Sequence, residues 1–198
     1  MPSILTKLVL SCSVPVVAAA FATAFAPSAA AEVVNLAPHE LTFESPDGPT
    51  FVVGSTGESI NKVPPLNAAG TVREVYISGS SYTQSPASGS LSVGYHVGCA
   101  VDLQGLGFGI GPDYDGDPDL TDLGLNASVS VTPGKVAEVQ LAKKDVVPGA
   151  SARINMRDIH LVINGCVGPA VIRQYTMMQV YTNEISDMGV VYGDPLWI

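Results

Sequence analysis

Two runs of alternating apolar and polar residues flank a cluster of aspartates near the middle of this chain. The runs cover residues 91–103 and 123–131, and in each of them the apolar side chains occupy every second position. A period of two predicts β-strands with one apolar and one polar face. Gly, Pro and Asp dominate residues 111–122 between the runs, which is typical of a turn. The sequence therefore predicts a hairpin with an acidic tip, the pattern that a membrane barrel needs when several chains share its wall.

Residues 1–31 predict a secretory signal peptide. Lys7 is their sole charged residue, an apolar run over residues 8–25 follows it, and the alanines at 29–31 fit the small-x-small cleavage rule. We therefore expect a mature chain that runs from Glu32 to Ile198. Its length predicts one domain, large enough to bury a core. No later segment offers the about 18 uninterrupted apolar residues of a transmembrane helix.

Charge and cysteine content agree with an exported protein. Loss of Lys7 changes the formal net charge from −9 to −10, and an acidic chain with so few basic residues is a poor candidate for binding nucleic acid. Cys12 is lost with the signal peptide, which leaves Cys99 and Cys166. Two cysteines in an exported β-protein most simply form one disulfide, and the alternative is two separate buried thiols. Their spacing fits no zinc site, and we expect no metal.

The rest of the mature chain predicts further strands separated by turn residues. We expect strands at residues 41–43, 50–53, 72–78, 136–141, 152–163 and 171–182, a short helix within 61–70, and a loop over the serine-rich residues 78–90. Turn signals at this spacing favour an all-β sandwich or barrel.

The acidic tip has two other interpretations. One is a solvated acidic turn, the usual role of such residues. The other is a calcium loop, because the aspartates fall near the ligand positions of an EF-hand, although no helices flank them and the last position is Asp rather than Glu. The aspartates are Asp113, Asp115, Asp117, Asp119 and Asp122.

Enzymatic function has little support. The three histidines His39, His96 and His160 are scattered, and no nucleophile elbow, metalloprotease or phosphate-loop motif occurs. We expect neither catalysis nor a cofactor. His96 is expected on the polar face of its strand, and Arg73 and Glu74 at a rim or subunit contact.

Four short motifs, taken in their order, resemble the MspA family, the octameric porins of mycobacteria and related actinobacteria. They are Val-Arg-Glu-Val-Tyr-Ile-Ser-Gly at 72–79, Gly-Ser-Leu-Ser-Val-Gly-Tyr-His-Val-Gly at 89–98, Asp-Gly-Asp at 115–117 and Tyr-Gly-Asp-Pro at 192–195. The resemblance covers residues 65–198, and residues 32–61 match only loosely.

The resemblance implies a goblet-shaped homo-octamer in the outer membrane or cell envelope. Residues 32–90 and 132–198 would form a β-sandwich rim domain, and residues 91–131 a long hairpin that contributes to a shared sixteen-stranded barrel. A barrel of that size leaves an aqueous channel for small hydrophilic solutes and cations. Its partners would be other copies of the chain and membrane lipid.

Two of the aspartates correspond to the family's constriction carboxylates. Asp115 and Asp117 match them, whereas Asp113, Asp119 and Asp122 are neighbours with no firm counterpart. The chain departs from the family pattern in two respects, because residues 98–126 are shorter and the pattern does not require the cysteine pair. The alternative is therefore a secreted β-sandwich of the same family that forms no channel and binds a partner or the cell envelope.

Overall fold

The computed structural model describes residues 31–45, 48–68, 70–102, 126–130 and 136–198. These residues form eleven strands, which confirms the all-β prediction. Their bounds are β1 (Glu32–Asn35), β2 (His39–Phe43), β3 (Phe51–Val63), β4 (Arg73–Gln84), β5 (Ser88–Asp102), β6 (Asn126–Ser130), β7 (Val136–Val146), β8 (Ser151–Asn164), β9 (Cys166–Tyr181), β10 (Ser186–Tyr192) and β11 (Leu196–Trp197). None of the described segments is a helix that is long and apolar enough to cross a membrane.

The strands form two sheets that pack face to face. The first sheet has the order β1-β3-β4-β8-β6, with β2 also paired to β3, and the second has the order β10-β9-β5-β7, with β11 paired to β9. Every pair within the described residues is antiparallel except β6 with β8, which is parallel. The predicted sandwich architecture is therefore present.

One end of the sandwich is marked by the tight β8–β9 turn at Gly165, whose φ of 75° suits glycine. At this Gly165 end, β4 begins opposite the end of β8, and β5 ends opposite the start of β9. Strand β7 also begins here, since Val136 pairs with Gly98. The β4–β5 and β7–β8 turns lie at the opposite end.

The interior contains two apolar clusters. The cluster nearer the Gly165 end includes Ile60, Ile77, Tyr95, Val97, Leu161 and Ile172, and the other includes Phe51, Val53, Leu91, Met178 and Val180. Each fully buried large apolar side chain contributes about 1.5–3 kcal/mol of transfer free energy. Buried polar residues lie between the clusters along β3, β4 and β9; they are Ser55, Glu58, Ser81, Gln174 and Thr176. We call these five residues the polar layer.

Two expectations were wrong. The described residues of 61–70 form no helix, contrary to the prediction, because β3 continues to Val63 in register with β4 until two consecutive prolines follow. The loop predicted over 78–90 is also wrong, since β4 continues to Gln84 and β5 starts at Ser88. Several serines of this stretch are buried in the sheets rather than exposed in a loop, including Ser81 and Ser90.

Strand β5 occupies a different place from the one predicted. Its apolar residues Leu91, Val93, Tyr95 and Val97 are fully buried against the first sheet, although we had placed them on a barrel hairpin. Hydrogen bonds to β7 and β9 occupy both edges of β5. As far as Cys99, the strand therefore belongs to the sandwich. Residues 103–125 and 131–135 lie outside the described part, so the rest of the predicted hairpin and domain division stays a prediction.

Candidate functional site

The segment that carries the predicted constriction follows β5 of the second sheet and precedes β6 of the first. Strand β5 stops at Asp102, opposite Cys166, and β6 starts at Asn126, opposite His160. The segment between them, 103–125, contains the aspartates and lies outside the described residues. The roles assigned to Asp113, Asp115, Asp117, Asp119 and Asp122 therefore stay predictions.

A disulfide fixes the base of this segment. Cys99 on β5 and Cys166 on β9 are bonded, with 5.7 Å between their Cα atoms, which confirms the predicted pairing. Both cysteines are buried in the apolar cluster nearer the Gly165 end. Cys166 is the first residue of β9. The bond therefore joins two neighbouring strands of the second sheet where β5 leaves the sandwich.

Arg73 fastens the β3–β4 connection to the same end. Its Nη1 donates hydrogen bonds of 2.9 Å to the carbonyl oxygens of Gly70 and Val72, and its Nη2 donates one of 2.9 Å to the carbonyl oxygen of Gly168. The guanidinium thus bridges the first sheet and the start of β9.

Glu74 makes contacts within the sandwich, and the expected subunit contact stays a prediction. Its Oε1 accepts a hydrogen bond of 2.8 Å from the backbone N–H of Leu66, and its Oε2 lies 3.1 Å from Nε2 of His160. The side chain is buried, and the His160 ring stacks on Tyr76 with 4.7 Å between centroids. Both oxygens of this carboxylate are therefore partnered within the chain.

His96 lies on the outer face of the second sheet, as expected of a strand residue on the polar face. Its ring stacks on Tyr175 at 5.1 Å and lies 5.7 Å from the ring of Tyr192. The Arg173 guanidinium lies 4.7 Å from the centre of the Tyr192 ring. These contacts hold neighbouring strands together.

A carboxyl group in the polar layer is the most unusual feature of the interior. A β-bulge between Thr56 and Ser59, with Gly57 at a φ of 64°, turns Glu58 inward. Its side chain is 2 % exposed. The Tyr95 hydroxyl donates a hydrogen bond of 2.7 Å to Oε1, but Oε2 has no hydrogen-bond partner among the described residues. One oxygen of a buried carboxyl is therefore left unsatisfied.

The polar layer continues from Glu58 across β9 and β4. The Gln174 side chain donates from Nε2 to Oγ of Ser81 at 3.4 Å, and Ser81 and Thr176 share a hydrogen bond of 2.8 Å between their hydroxyls. Oε1 of Gln174 is buried and also has no partner in the described part of the chain. The layer thus connects both sheets and contains two buried acceptor oxygens that lack donors.

Burial governs the protonation of this layer. It raises the pKa of Glu58, an effect that the hydrogen bond from Tyr95 partly opposes. The charge of His39 lowers the pKa of Glu58 and that of Asp194 raises it, while these two groups face each other at 3.4 Å. Burial, together with the nearby carboxyl, also raises the pKa of Tyr95 well above its usual value. The arrangement favours uncharged groups in the layer.

The sequence analysis missed Glu58, although the sequence contains a signal for it. Inward-facing residues occupy odd positions up to Ser55 and even positions from Glu58 to Ile60. A change of phase across a glycine is typical of a bulge, and it identifies the residue that the bulge redirects. The described residues contain no group of three or more His, Cys, Asp or Glu side chains that could hold a metal.

Comparison with known proteins adds a family. No curated protein matches the chain. A family model described as MspA matches residues 47–196, a stretch that covers most of both sheets and the acidic segment between β5 and β6. Because this match extends over well more than half of the sequence, the chain belongs to the MspA family, whose members are exported, oligomeric porins rather than enzymes.

Proposed function

We propose that this protein is an outer-membrane porin, which passes small hydrophilic solutes and cations by passive diffusion through a homo-oligomeric β-barrel. The family match carries the proposal, because it continues through residues 103–125, the segment that would build the barrel. The backbone supports it, since β5 ends at the Gly165 end of the sandwich, where this segment begins. A shared barrel would require each subunit to contribute such a segment from one end.

Assembly follows from the physics of the extension. A two-stranded hairpin is marginally stable alone, and its open edges need partner strands. Neighbouring copies of the same chain would supply them, and the family resemblance indicates eight. We therefore propose a ring of identical subunits, with the sandwiches forming the rim.

Cation preference follows from the charges of the extension. The proposed constriction residues are Asp115 and Asp117, with Asp113, Asp119 and Asp122 close by in sequence, and residues 91–133 contain no Lys or Arg. In an oligomer these carboxylates would form a ring, which attracts cations and repels anions. Mutual repulsion would raise the pKa values of some of them, so the ring need not be fully ionised at neutral pH.

One observation favours a second candidate, an exported sandwich that forms no channel and binds an envelope partner. Strands β5 and β6 belong to the sandwich, so only the segment 103–125 remains between them. A tilted membrane strand needs about 9–11 residues. The stretch 103–112 meets that length before the acidic tip, but the stretch 123–125 after it does not. The second strand of the proposed hairpin would therefore have to include some of the acidic residues.

Planar-bilayer recording of the purified mature protein separates the two candidates. The control is a variant in which a short Gly-Ser linker replaces residues 103–125, because this change leaves every described strand intact. The porin proposal predicts stepwise conductance for the natural chain and none for the variant. Folded natural protein that gives no conductance would support the second candidate, and a variant that conducts equally would contradict the role of residues 103–125 in the channel.

A further inference from the structure

We propose that Glu58 keeps its proton in the folded protein above the pH at which an exposed carboxyl releases it, so that the sandwich holds one buried proton in its polar layer. The inference concerns the sandwich alone and does not depend on channel formation. It rests on the geometry of two oxygens that lack donors, Oε2 of Glu58 and Oε1 of Gln174.

These two oxygens line the same small space beside Gly193. A Cβ built on Gly193 would lie 3.0 Å from Glu58 Oε2 and 3.8 Å from Gln174 Oε1. The residues that carry them are 2 % and 1 % exposed, so bulk water does not reach them freely. Leaving a buried acceptor unpaired destabilises the folded protein, and does so more when the group is charged. A proton on Oε2 removes the charge and supplies a donor in this space.

Among the described residues, His39 supplies the positive charge that acts on Glu58, and Asp194 opposes it. Tyr95 on β5 and Gln174 on β9 are neutral, and Tyr95 already donates to Oε1. His39 on β2 and Asp194 after β10 act in opposite directions and face each other. The burial of the carboxyl is therefore not offset by an ion pair of its own, in contrast to Glu74, whose two oxygens both have partners.

The proton makes the stability of the sandwich depend on pH. Burial raises the pKa of Glu58 above its ordinary value of 4.5. For a group with a raised folded-state pKa, the stabilisation is fully present below the unfolded pKa and is lost as the pH rises through the folded pKa. The loss therefore begins above about pH 4.5 and continues towards neutral and alkaline pH.

The test is denaturant unfolding of the full mature chain between pH 5 and pH 9 at one fixed protein concentration. Circular dichroism follows the strands, and Trp197, the single tryptophan, follows the C-terminal strand. For the natural protein, we expect the unfolding equilibrium constant to rise by up to about tenfold per pH unit over the affected range, as one proton requires.

Glu58→Gln is the diagnostic variant, because its amide reproduces the protonated carboxyl. The amide oxygen accepts from Tyr95, and the amide nitrogen faces Gln174 as a donor. We expect its pH profile to be flatter than that of the natural protein, so that the variant is the more stable of the two at high pH. Glu44→Gln, which removes one exposed carboxyl, is the control, and its profile should differ from the natural one less than that of Glu58→Gln.

Three results would overturn the proposal. Parallel profiles for the natural protein and Glu58→Gln would show that Glu58 binds no proton, as expected if the Gln174 amide is reversed and donates to an ionised carboxylate. Stabilisation of the natural protein by Ca²⁺, absent in Glu58→Gln, would show that a cation takes the place of the proton. Infrared spectra test the same point: a protonated-carboxyl band that persists above the range in which exposed carboxyls ionise, and is missing in Glu58→Gln, supports the proposal, and its absence from the natural protein contradicts it.

Discussion

Loss of the disulfide between Cys99 and Cys166 should destabilise the sandwich by several kcal/mol. The two cysteines are 67 residues apart in sequence, so the cross-link removes a long loop from the freedom of the unfolded chain. The chain-entropy relation gives about 4 kcal/mol for a loop of this length at 25 °C. Residues 103–125 lie inside this loop, so the bond also restricts the acidic segment in the unfolded chain.

Reduction and mutation should give different magnitudes. Reduction of the natural protein breaks the bond but keeps both sulfur atoms in the apolar cluster, so we expect a loss of about 4 kcal/mol. Replacement of both cysteines by alanine also removes two buried sulfur atoms, which adds about 0.8 kcal/mol for each if sulfur resembles a methylene group. The double variant should therefore lose about 5–6 kcal/mol, since the two effects add.

Urea unfolding measures these losses. With a slope of about 2 kcal/mol per molar urea, the midpoint of the natural protein should fall by about 2 M on reduction. The double alanine variant serves as the control, since reductant should leave its midpoint unchanged. A fall of less than about 0.5 M in the reduced natural protein would refute the loop-entropy argument.

Three further experiments test other parts of the account. Tyr95→Phe removes the hydrogen-bond donor to Oε1 of Glu58. Chemical denaturation should show that the free energy of unfolding falls by about 1–3 kcal/mol. An unchanged midpoint would mean that this hydrogen bond does not satisfy the carboxyl. Gly57→Ala places a side chain at a φ of 64°, where no atom lies within 4 Å of the new Cβ, so backbone strain alone should lower the free energy of unfolding by about 1–2 kcal/mol. Gly57→Asn should lose less stability, because Asn tolerates this conformation better. Equal losses for the two variants would contradict backbone strain as the cause. Light scattering of the mature protein in detergent should show a ring oligomer of about eight chains, and a strictly monomeric protein in every detergent would contradict shared-barrel assembly.

The strands could be predicted from the sequence because period-two alternation and turn residues are local signals. Every strand that we predicted outside residues 103–125 overlaps an observed one, and the two cysteines are bonded as expected. The errors come from polar residues in buried positions. A serine-rich stretch such as 78–90 is typical of loops, but here small hydroxyl side chains fit between two apolar clusters and form hydrogen bonds inside the sandwich.

Alternation also leaves the partner of an apolar face undetermined. The pattern from Leu91 to Val97 shows one apolar face, and that face is compatible equally with lipid and with a second sheet. Which of these two partners covers the apolar face depends on long-range strand pairing. This pairing places β5 between β7 and β9 and turns the face towards the first sheet. Glu58 was missed for a related reason, because the bulge at Gly57 changes the face that each later residue occupies.

Reversal potentials in a salt gradient test the central claim most directly, because they require both a channel and the proposed selectivity residues. Asn replaces Asp115 and Asp117 in the comparison variant, which keeps the turn propensity of the tip while removing the charges. The account predicts a cation-selective reversal potential for the natural protein and a smaller one for the double Asn variant, with the larger difference at low salt, where screening is weaker. Equal reversal potentials would show that these aspartates are not the selectivity element, and the absence of any current from folded, assembled protein would contradict the porin itself.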